Sequence, residues 1–389
     1  MAGARFDAEV AVVGVGSVGA MAMWRVVAQG VPVIGFEQFT PGHARGAAGG
    51  ETRVFRVAYH EGSHYVPLLL RAREAWSQLE RLSGRKLFDP CGYLEIAPCG
   101  DGKLAQTLEA VRAYSLDHSY FEAVAAQARY PQHRFRADDV AVLDRSGGVL
   151  FPGIAVEAAA LHAEELGARI LRGTRVEAIE PDDDGVTIVT GAARFRVRSA
   201  IVSAGAWTGA ICPELRPAVV PTRLSLTWFG ARRPSDFSSR VFPAFGRTVD
   251  GVFVYGVPSI DGRSVKVAAT RIDEPGPIDP DWLDPVVPPD VVDEVSAVVA
   301  ATMPGLDPHP VRQAIFADGY TTDGDGLVGL HPNQPHVVVA TGLSGHGFKL
   351  APSFGKAAAD LAIYGVTTEP VDFLDPGRPL AFAAPAAGG

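Results

Sequence analysis

Three glycines near the start of the chain, Gly14, Gly16 and Gly19, have the spacing G-x-G-x-x-G. An apolar run precedes them and predicts a strand, and residues 20–29 predict a helix. In such a unit the first glycine permits a tight turn, the second lets the backbone approach a pyrophosphate, and the third lets the helix pack close to the strand. The helix N-terminus offers free N–H groups to phosphates, so this stretch predicts a dinucleotide site.

A second apolar run, 31–36, ends at Glu37, which follows Gly19 by 18 residues. An acidic side chain at the end of the second strand can bond the hydroxyls of a ribose. Because that contact requires a free ribose, the pattern favours FAD or NAD over NADP.

Two arginines three residues apart, Arg53 and Arg56, follow a glycine-rich polar loop at 41–52. In a helix or turn, this spacing places both side chains on nearly the same face. The residues between and beside them are mostly apolar, which indicates a half-buried segment and argues against two idle surface arginines. A loop of this kind next to a dinucleotide site is typically functional.

For several other polar residues, a structural interpretation is simpler than a functional one. His346, within a Ser-Gly-His-Gly stretch, suggests a catalytic base, but a structural role in a backbone turn is the favoured interpretation. Three acidic residues at 182–184 lie at a predicted hairpin tip, where acidic groups are usually solvated. The cysteines have neither C-x-x-C nor zinc spacing, so no metal site is predicted and reduced thiols are expected. They are Cys91, Cys99 and Cys212.

The composition restricts the class of protein. The 389 residues are 47% hydrophobic and carry a formal net charge of −9, which argues against nucleic-acid partners and anionic membrane surfaces. No apolar run reaches the ~18 residues of a membrane span. The N-terminus lacks the pattern of a secretory signal. We therefore expect a cytoplasmic protein with no membrane or nucleic-acid partner.

The order of elements predicts an α/β fold in two domains. Strands alternate with helices near both ends of the chain. This pattern indicates a Rossmann-like dinucleotide-binding domain assembled from residues 1–84, 148–212 and 312–389. A proline-rich, strand-like composition in the middle indicates an inserted antiparallel-sheet substrate domain, formed by 85–147 and 213–311. Helices are predicted at 65–82, 103–115, 121–128, 288–303 and 352–363, and a strand at 87–96.

Together these segments resemble the monomeric sarcosine oxidase and N-methyltryptophan oxidase family of FAD-dependent amine oxidases. The similarity extends from Phe6 to about Pro379. Its most specific features are the segment 46–56, the Tyr-Gly-Val-Pro-Ser stretch at 255–259, Lys266 eleven residues after Tyr255, and Gly-Leu-Ser-Gly-His-Gly-Phe-Lys at 342–349. The resemblance implies a glutathione-reductase-2-like or D-amino-acid-oxidase-like fold. It also implies FAD-dependent oxidation of an amino acid's C–N bond to an imine, with O2 reduced to H2O2.

The resemblance further implies roles for individual residues. Lys266, as the oxygen-activating cation, Arg53 and Tyr255 are the expected catalytic residues. Arg56 and Lys349 are expected to clamp the substrate carboxylate, with Tyr255, Gly49 and Thr270 also contacting the substrate; a planar guanidinium suits a carboxylate because it bonds both oxygens. The expected FAD-binding residues are Gly14, Gly16, Ser17, Val18, Gly19, Glu37, Gly50, Thr52, Arg53, Val176, Ala204, Gly205, Trp207, Phe316, Gly342, Gly345, His346, Gly347, Phe348 and Lys349.

Three positions depart from the family pattern. Phe316 stands where the family links its flavin through a cysteine, and no cysteine follows Cys212, so noncovalent FAD is expected. Gly49 and Thr270 each stand where the family has a histidine. Loss of two imidazoles predicts a roomier or less polar pocket, and hence a substrate larger than sarcosine, such as a cyclic amino acid of the proline or pipecolate type or a biosynthetic intermediate.

Two alternatives stay open at this point. A flavin dehydrogenase of the same fold would use an electron acceptor other than oxygen, although Lys266 favours oxygen. A non-catalytic flavin-binding subunit would have no use for the carboxylate clamp of Arg56 and Lys349. We expect a monomer or a small homo-oligomer.

Overall fold

The computed structural model describes residues 6–269 and 278–380. Its strands are β1 (Ala8–Val13), β2 (Val33–Glu37), β3 (Arg53–Phe55), β4 (Phe88–Asp89), β5 (Tyr93–Pro98), β6 (His118–Glu122), β7 (Asp139–Asp144), β8 (Gly148–Leu150), β9 (Arg169–Arg172), β10 (Val176–Asp182), β11 (Gly185–Thr190), β12 (Arg194–Val202), β13 (Val220–Ala231), β14 (Ala244–Val249), β15 (Val252–Val257), β16 (Ser264–Ala269), β17 (Leu306–Tyr320), β18 (Leu327–His331) and β19 (Gln334–Thr341).

The helices are α1 (Ser17–Val27), α2 (Val66–Ser83), α3 (Gly102–Tyr114), α4 (Ala123–Arg129), α5 (Pro152–Glu165), α6 (Thr208–Ile211), α7 (Pro289–Thr302) and α8 (Gly347–Tyr364). No helix in the described parts of the chain is long and apolar enough to cross a membrane.

The first sheet has a parallel centre. Strand β1 lies between β12 and β2, β9 extends the sheet beyond β2, and β19 pairs with the other side of β12. Strands β10, β11 and β18 add antiparallel pairs at the margins. The central strands are apolar almost throughout because both faces of the sheet are covered. Helices α1, α5 and α8 pack on one face.

The second sheet is antiparallel except where β14 pairs with β5, and its order is β17-β13-β16-β15-β14-β5-β7-β6. Helix α7 packs against β16 and β17. A small third sheet, β3-β8-β4, includes Arg53. This arrangement confirms the predicted α/β class with a second, largely antiparallel sheet.

The domain boundaries stay a prediction, but one of them divides a strand. The proposed boundary between 311 and 312 falls inside β17, which pairs with β13 from Leu306 to Tyr320. Residues 312–320 therefore belong to the second sheet and not to the first. This strand carries the chain from one sheet towards the other.

Several element predictions differ from the structure in detail. The strand predicted at 87–96 is two strands, β4 and β5, separated by a turn at Gly92, whose φ is +82°. The helix predicted at 121–128 begins only after β6, which pairs with β7. Helix α8 starts at Gly347, so that Pro352, the predicted start of this helix, lies inside it. In each case pairing or packing with distant segments determines the boundary.

Candidate active site

A cleft opens where β1, β2 and β12 end. Eight of the predicted cofactor-binding residues line it: Gly14, Gly16, Ser17, Glu37, Val176, Ala204, Gly205 and Trp207. A smaller cavity shares Ser17 and Gly205 with the cleft, and it is lined by six further predicted residues: Val18, Arg53, Gly342, Gly345, Gly347 and Phe348. The fold therefore brings the N-terminal and C-terminal motifs together. Six predicted residues line neither space: Gly19, Gly50, Thr52, Phe316, His346 and Lys349.

The glycines of the first motif have the surroundings that a dinucleotide requires. Gly14 has a φ of +90°, and a Cβ on Gly19 would lie 2.0 Å from the carbonyl oxygen of Gly14. A Cβ on Gly16 would meet no atom within 4 Å, because Gly16 borders the cleft. The turn therefore packs tightly at Gly14 and Gly19, whereas the backbone at Gly16 is accessible to a pyrophosphate.

Polar groups at the cleft also fit FAD. Helix α1 has no side-chain cap and no acidic residue in its first turn, which leaves its N–H groups available to phosphate oxygens. The carboxylate of Glu37 accepts hydrogen bonds from the backbone N–H of Val15 (3.0 Å) and of Phe39 (2.9 Å), which orient it in the cleft. Burial raises the pKa of Glu37. The residues present therefore fit the adenosine half of FAD.

Two basic side chains meet at the loop that precedes β3. Lys266 of β16 is 1% exposed, and its Nζ donates to the carbonyl oxygen of Thr52 at 2.5 Å. Nη1 of Arg53 donates to the same oxygen at 2.7 Å. Burial, with the neighbouring Arg53, holds the pKa of Lys266 well below its ordinary value. Tyr255 of β15 packs against an apolar cluster that includes Phe316.

A second pair of basic side chains meets at Tyr59. The guanidinium carbon of Arg56 lies 5.0 Å from the centre of the Tyr59 ring, and Nζ of Lys349 donates to the Tyr59 hydroxyl at 3.2 Å. Both basic residues are buried, at 5% and 8% exposure. Burial lowers the pKa of Lys349 to about 7. Arg56 and Lys349, far apart in sequence, thus form one cationic site.

Arg56 has polar partners of its own. It donates to the hydroxyl of Tyr93 at 2.7 Å and to the carboxylate of Glu61 at 2.5 Å, and it lies against the ring of His60. Burial by itself would raise the pKa of Glu61, but the charge of Arg56 holds this pKa below its ordinary value. The sequence analysis missed Glu61, Tyr59 and Tyr93. An acidic residue five positions after Arg56 was the available signal for Glu61.

His346 has both ring nitrogens in hydrogen bonds. Nε2 lies 2.9 Å from the carbonyl oxygen of Gly324, which can only accept, so Nε2 carries the proton. Nδ1, at 3.0 Å from the Tyr59 hydroxyl, must then accept from it. The oxygen of Tyr59 is left to accept from Lys349. This arrangement supports the structural interpretation of His346, since neither nitrogen is free to take a proton from a substrate.

The structure distinguishes the two predicted effects of Gly49, a roomier or a less polar pocket. Phe316 fills the space in front of Gly49, where a Cβ would lie 2.1 Å from Cδ1 of Phe316. The pocket is less polar at this point and not roomier. The other predicted difference, Thr270, lies outside the described residues.

A further residue that the sequence analysis missed is Asp318, an acidic side chain in the smaller cavity. Alternation along β17 was an available signal, because Asp318 is two residues from Phe316 and shares its face of the strand. Among the described residues no group of three or more His, Cys, Asp or Glu could hold a metal ion.

The chain is similar to known proteins over nearly its whole length. The model of a family described as FAD dependent oxidoreductase matches residues 9–361. Monomeric sarcosine oxidase from Bacillus sp. (strain B-0618) is 32% identical over 376 residues, which cover 95% of this chain and 96% of that protein. N-methyl-L-tryptophan oxidase from Salmonella arizonae is 31% identical over 360 residues, covering 90% and 94%.

A solved structure of NikD, described as an unusual amino acid oxidase essential for nikkomycin biosynthesis, has the same fold. Its TM-score is 0.81 at 24% identity, and the match covers 95% of this chain and 97% of NikD.

Proposed function

The chain belongs to the FAD dependent oxidoreductase family, with FAD as its cofactor, and we propose that it oxidises the C–N bond of a secondary or cyclic amino acid. In the proposed reaction the amino acid loses two electrons and two protons to become an imine, and O2 gains them to become H2O2. FAD supplies the two-electron acceptor within the site. The substrate is a small molecule with a carboxylate and an amine.

The observation that carries this proposal is the meeting of Arg56 and Lys349 at Tyr59. Two buried cations on one site favour a bound anion, and a guanidinium and an ammonium suit the carboxylate of an amino acid. Glu61 now neutralises Arg56. A substrate carboxylate would replace one acidic partner of Arg56 with another, so the buried guanidinium would stay paired.

Lys266 and Arg53 are the proposed catalytic cations, with Tyr255 as a wall of the site. The carbonyl oxygen of Thr52 holds both cations at one point. A fixed positive charge in a water-poor site stabilises negative charge that develops on O2. This role makes O2 the proposed acceptor.

The proposed FAD attachment is noncovalent, because Phe316 offers no nucleophile and the chain has no cysteine after Cys212. The proposed substrate is larger than sarcosine. Support for this comes from the apolar cluster of Phe316, Leu226 and the partly buried Tyr255 beside Gly49 and Gly50, which would suit a ring or an alkyl group. Cytoplasmic location and a monomeric or small homo-oligomeric state stay predictions.

A substrate screen tests the proposal. The purified protein with FAD would be mixed anaerobically with sarcosine, N-methyl-L-tryptophan, L-proline or L-pipecolate, and loss of the flavin absorbance followed. We expect a cyclic amino acid to bleach the flavin fastest, and H2O2 to form once air is admitted. Fastest bleaching by sarcosine would overturn the substrate proposal, and no bleaching by any amino acid would overturn the activity.

A further inference from the structure

The segment that leads into helix α7 crosses to the cofactor cleft. Its first described residue, Ile278, donates its backbone N–H to the carbonyl oxygen of Pro221, in strand β13 of the second sheet, at 3.1 Å. The side chains of Ile278 and Leu283 pack against the apolar cluster of the first sheet, which includes Trp207. Residues 278–284, called the strap below, therefore connect the second sheet to the first before α7 begins.

Asp281 of the strap bonds to two side chains of the cleft wall. Its Oδ1 accepts from the indole Nε1 of Trp207 at 2.7 Å, and its Oδ2 accepts from Nη1 of Arg175 at 2.8 Å. Trp207 and Arg175 both line the cleft that fits the adenosine half of FAD, and neither lines the smaller cavity. One carboxylate of the strap thus holds two residues of this wall.

Both bonds involve an ionised acceptor. Burial by itself would raise the pKa of Asp281, but the hydrogen bonds from Trp207 and Arg175 hold this pKa below its ordinary value. The carboxylate is therefore charged at neutral pH, and a hydrogen bond to an ionised group is roughly twice as strong as one between neutral groups. The ion pair with Arg175 is partly exposed, which weakens it. The bond from Trp207, which is 8% exposed, is the better protected of the two.

The other contacts of the Trp207 ring are apolar. The ring of Phe39 meets it edge-on with the centroids 6.0 Å apart, and a Cβ on Gly46 would lie 3.6 Å from its Cζ3. Such contacts fill space around an indole but do not fix its direction, whereas the N–H of a mostly buried tryptophan needs an acceptor. Asp281 supplies that acceptor, so it determines how the ring is oriented at the cleft.

We propose that the strap retains FAD, and that Asp281 acts for it by holding Trp207 and Arg175 at the wall of the adenosine half. Asp281 is not among the described residues that line the cleft or the smaller cavity, so it is a positioning residue and not a direct ligand. The inference rests on the proposed noncovalent attachment, because a cofactor without a covalent link depends on such contacts. It does not depend on the identity of the substrate.

The test measures how fast FAD leaves the loaded protein. FAD-loaded protein would be diluted and the release followed by the rise of flavin fluorescence; adding FAD back would give the rate of association. Asp281→Ala removes both bonds, whereas Asp281→Asn keeps an acceptor for Trp207 and loses the charge. Asp284→Ala is the matched control, because Asp284 lies in the same strap and its carboxylate accepts from the backbone N–H of Val286.

We expect Asp281→Ala to speed the release of FAD about tenfold and to change the association rate less than about twofold, because the lost bonds act on the bound cofactor. Asp281→Asn should lie between Asp281→Ala and the parent protein, and Asp284→Ala should release FAD like the parent. Unchanged release in Asp281→Ala, or an equal increase in Asp284→Ala, would overturn the proposal.

A double-mutant cycle shows whether Asp281 acts through the indole. Trp207→Phe keeps a ring at the cleft but removes the N–H that Asp281 accepts. The effect of Asp281→Ala on the release rate should therefore be smaller in the Trp207→Phe background than in the parent. Equal effects in both backgrounds would contradict the positioning of Trp207 by Asp281.

The two ways in which this inference can fail are separable from failure of the proposed oxidation. Flavin that stays in the pellet after acid precipitation of the parent protein would rule out a retaining role, because a covalent link leaves the strap nothing to retain. Unchanged release of noncovalent FAD from Asp281→Ala would reject the strap alone. Neither result bears on bleaching of the flavin by amino acids, which tests the oxidation.

Discussion

The ring of Phe316 fills the space in front of Gly49, so that a Cβ on Gly49 would lie 2.1 Å from Cδ1 and 2.3 Å from Cε1 of that ring. Two departures from the family pattern therefore form one packing unit. The large side chain at 316 requires the absence of a side chain at 49, since a well-packed site cannot hold both.

Gly49→Ala should destabilise the protein by about 1–3 kcal/mol, because the new methyl group must displace the Phe316 ring. Thermal unfolding of the FAD-loaded protein measures the change. Gly46→Ala on the same loop is the control, since its Cβ would meet nothing closer than 3.6 Å. Adding Phe316→Ala to Gly49→Ala should remove the clash, so a double-mutant cycle without coupling would contradict this interpretation.

FAD should leave the protein on acid precipitation, because Phe316 cannot form a covalent link. The measurement is the visible spectrum of the supernatant and of the pellet after precipitation. We expect the flavin bands in the supernatant. Yellow colour in the pellet would mean that another residue is linked to the cofactor.

Binding of a carboxylate should weaken as the pH rises through about 7, where buried Lys349 loses its proton and its charge. Arg56 keeps its charge, so binding should fall by a limited factor rather than disappear. Titration of cyclopentanecarboxylate between pH 6 and pH 9, followed by the flavin spectrum, measures the effect. Lys349→Met should abolish the dependence, whereas Lys356→Gln, on the same helix but paired with Asp360, should retain it. A slope that survives in Lys349→Met would refute the assignment.

Tyr59→Phe should weaken carboxylate binding about fivefold, since the Lys349 ammonium loses an acceptor that is worth ~1 kcal/mol. FAD affinity should stay the same, which separates this effect from a general loss of structure. Tyr65→Phe is the matched control. Its ring also packs against His346, but its hydroxyl bonds Asp325 and not Lys349. If both variants weakened binding equally, Tyr59 would have no specific role in holding Lys349.

Lys266→Met should slow the reaction with O2 at least about tenfold while the substrate still bleaches the flavin at a similar rate, because the cation acts on oxygen. Stopped-flow measurements of the two half-reactions separate these rates. Retained oxygen reactivity in the variant would favour an acceptor other than O2. Arg263→Met, on the exposed approach to the same strand, serves as a control.

Local patterns in the sequence predicted the parts of the site that depend on neighbouring residues. The triplet Gly14, Gly16 and Gly19 and the acidic Glu37 act through a single strand–turn–helix–strand unit, so their spacing is sufficient to indicate the cleft. The family resemblance implied that Arg56, Lys266 and Lys349 belong to the site, but it did not give the distances between these side chains. The strand predicted at 87–96 and the helix predicted at 121–128 show the limit of such patterns. The boundaries of both elements depend on pairing between strands, which local patterns do not reveal.

Only the tertiary structure decided which side chains meet. Arg56 and Lys349 lie near opposite ends of the chain. Tyr59 joins them, Arg56 through its ring and Lys349 through its hydroxyl, only after α8 packs beside the first sheet. The register of β17 against β13 places Phe316 against Gly49 and Asp318 at the smaller cavity, and a shift by one residue would turn both away. Sequence spacing predicted the part of the cofactor cleft that the first strand–turn–helix–strand unit forms, because the contacts within that unit are local. The substrate site needed the fold because its contacts, burial and charges come from segments whose distance in sequence carries no information about their distance in space.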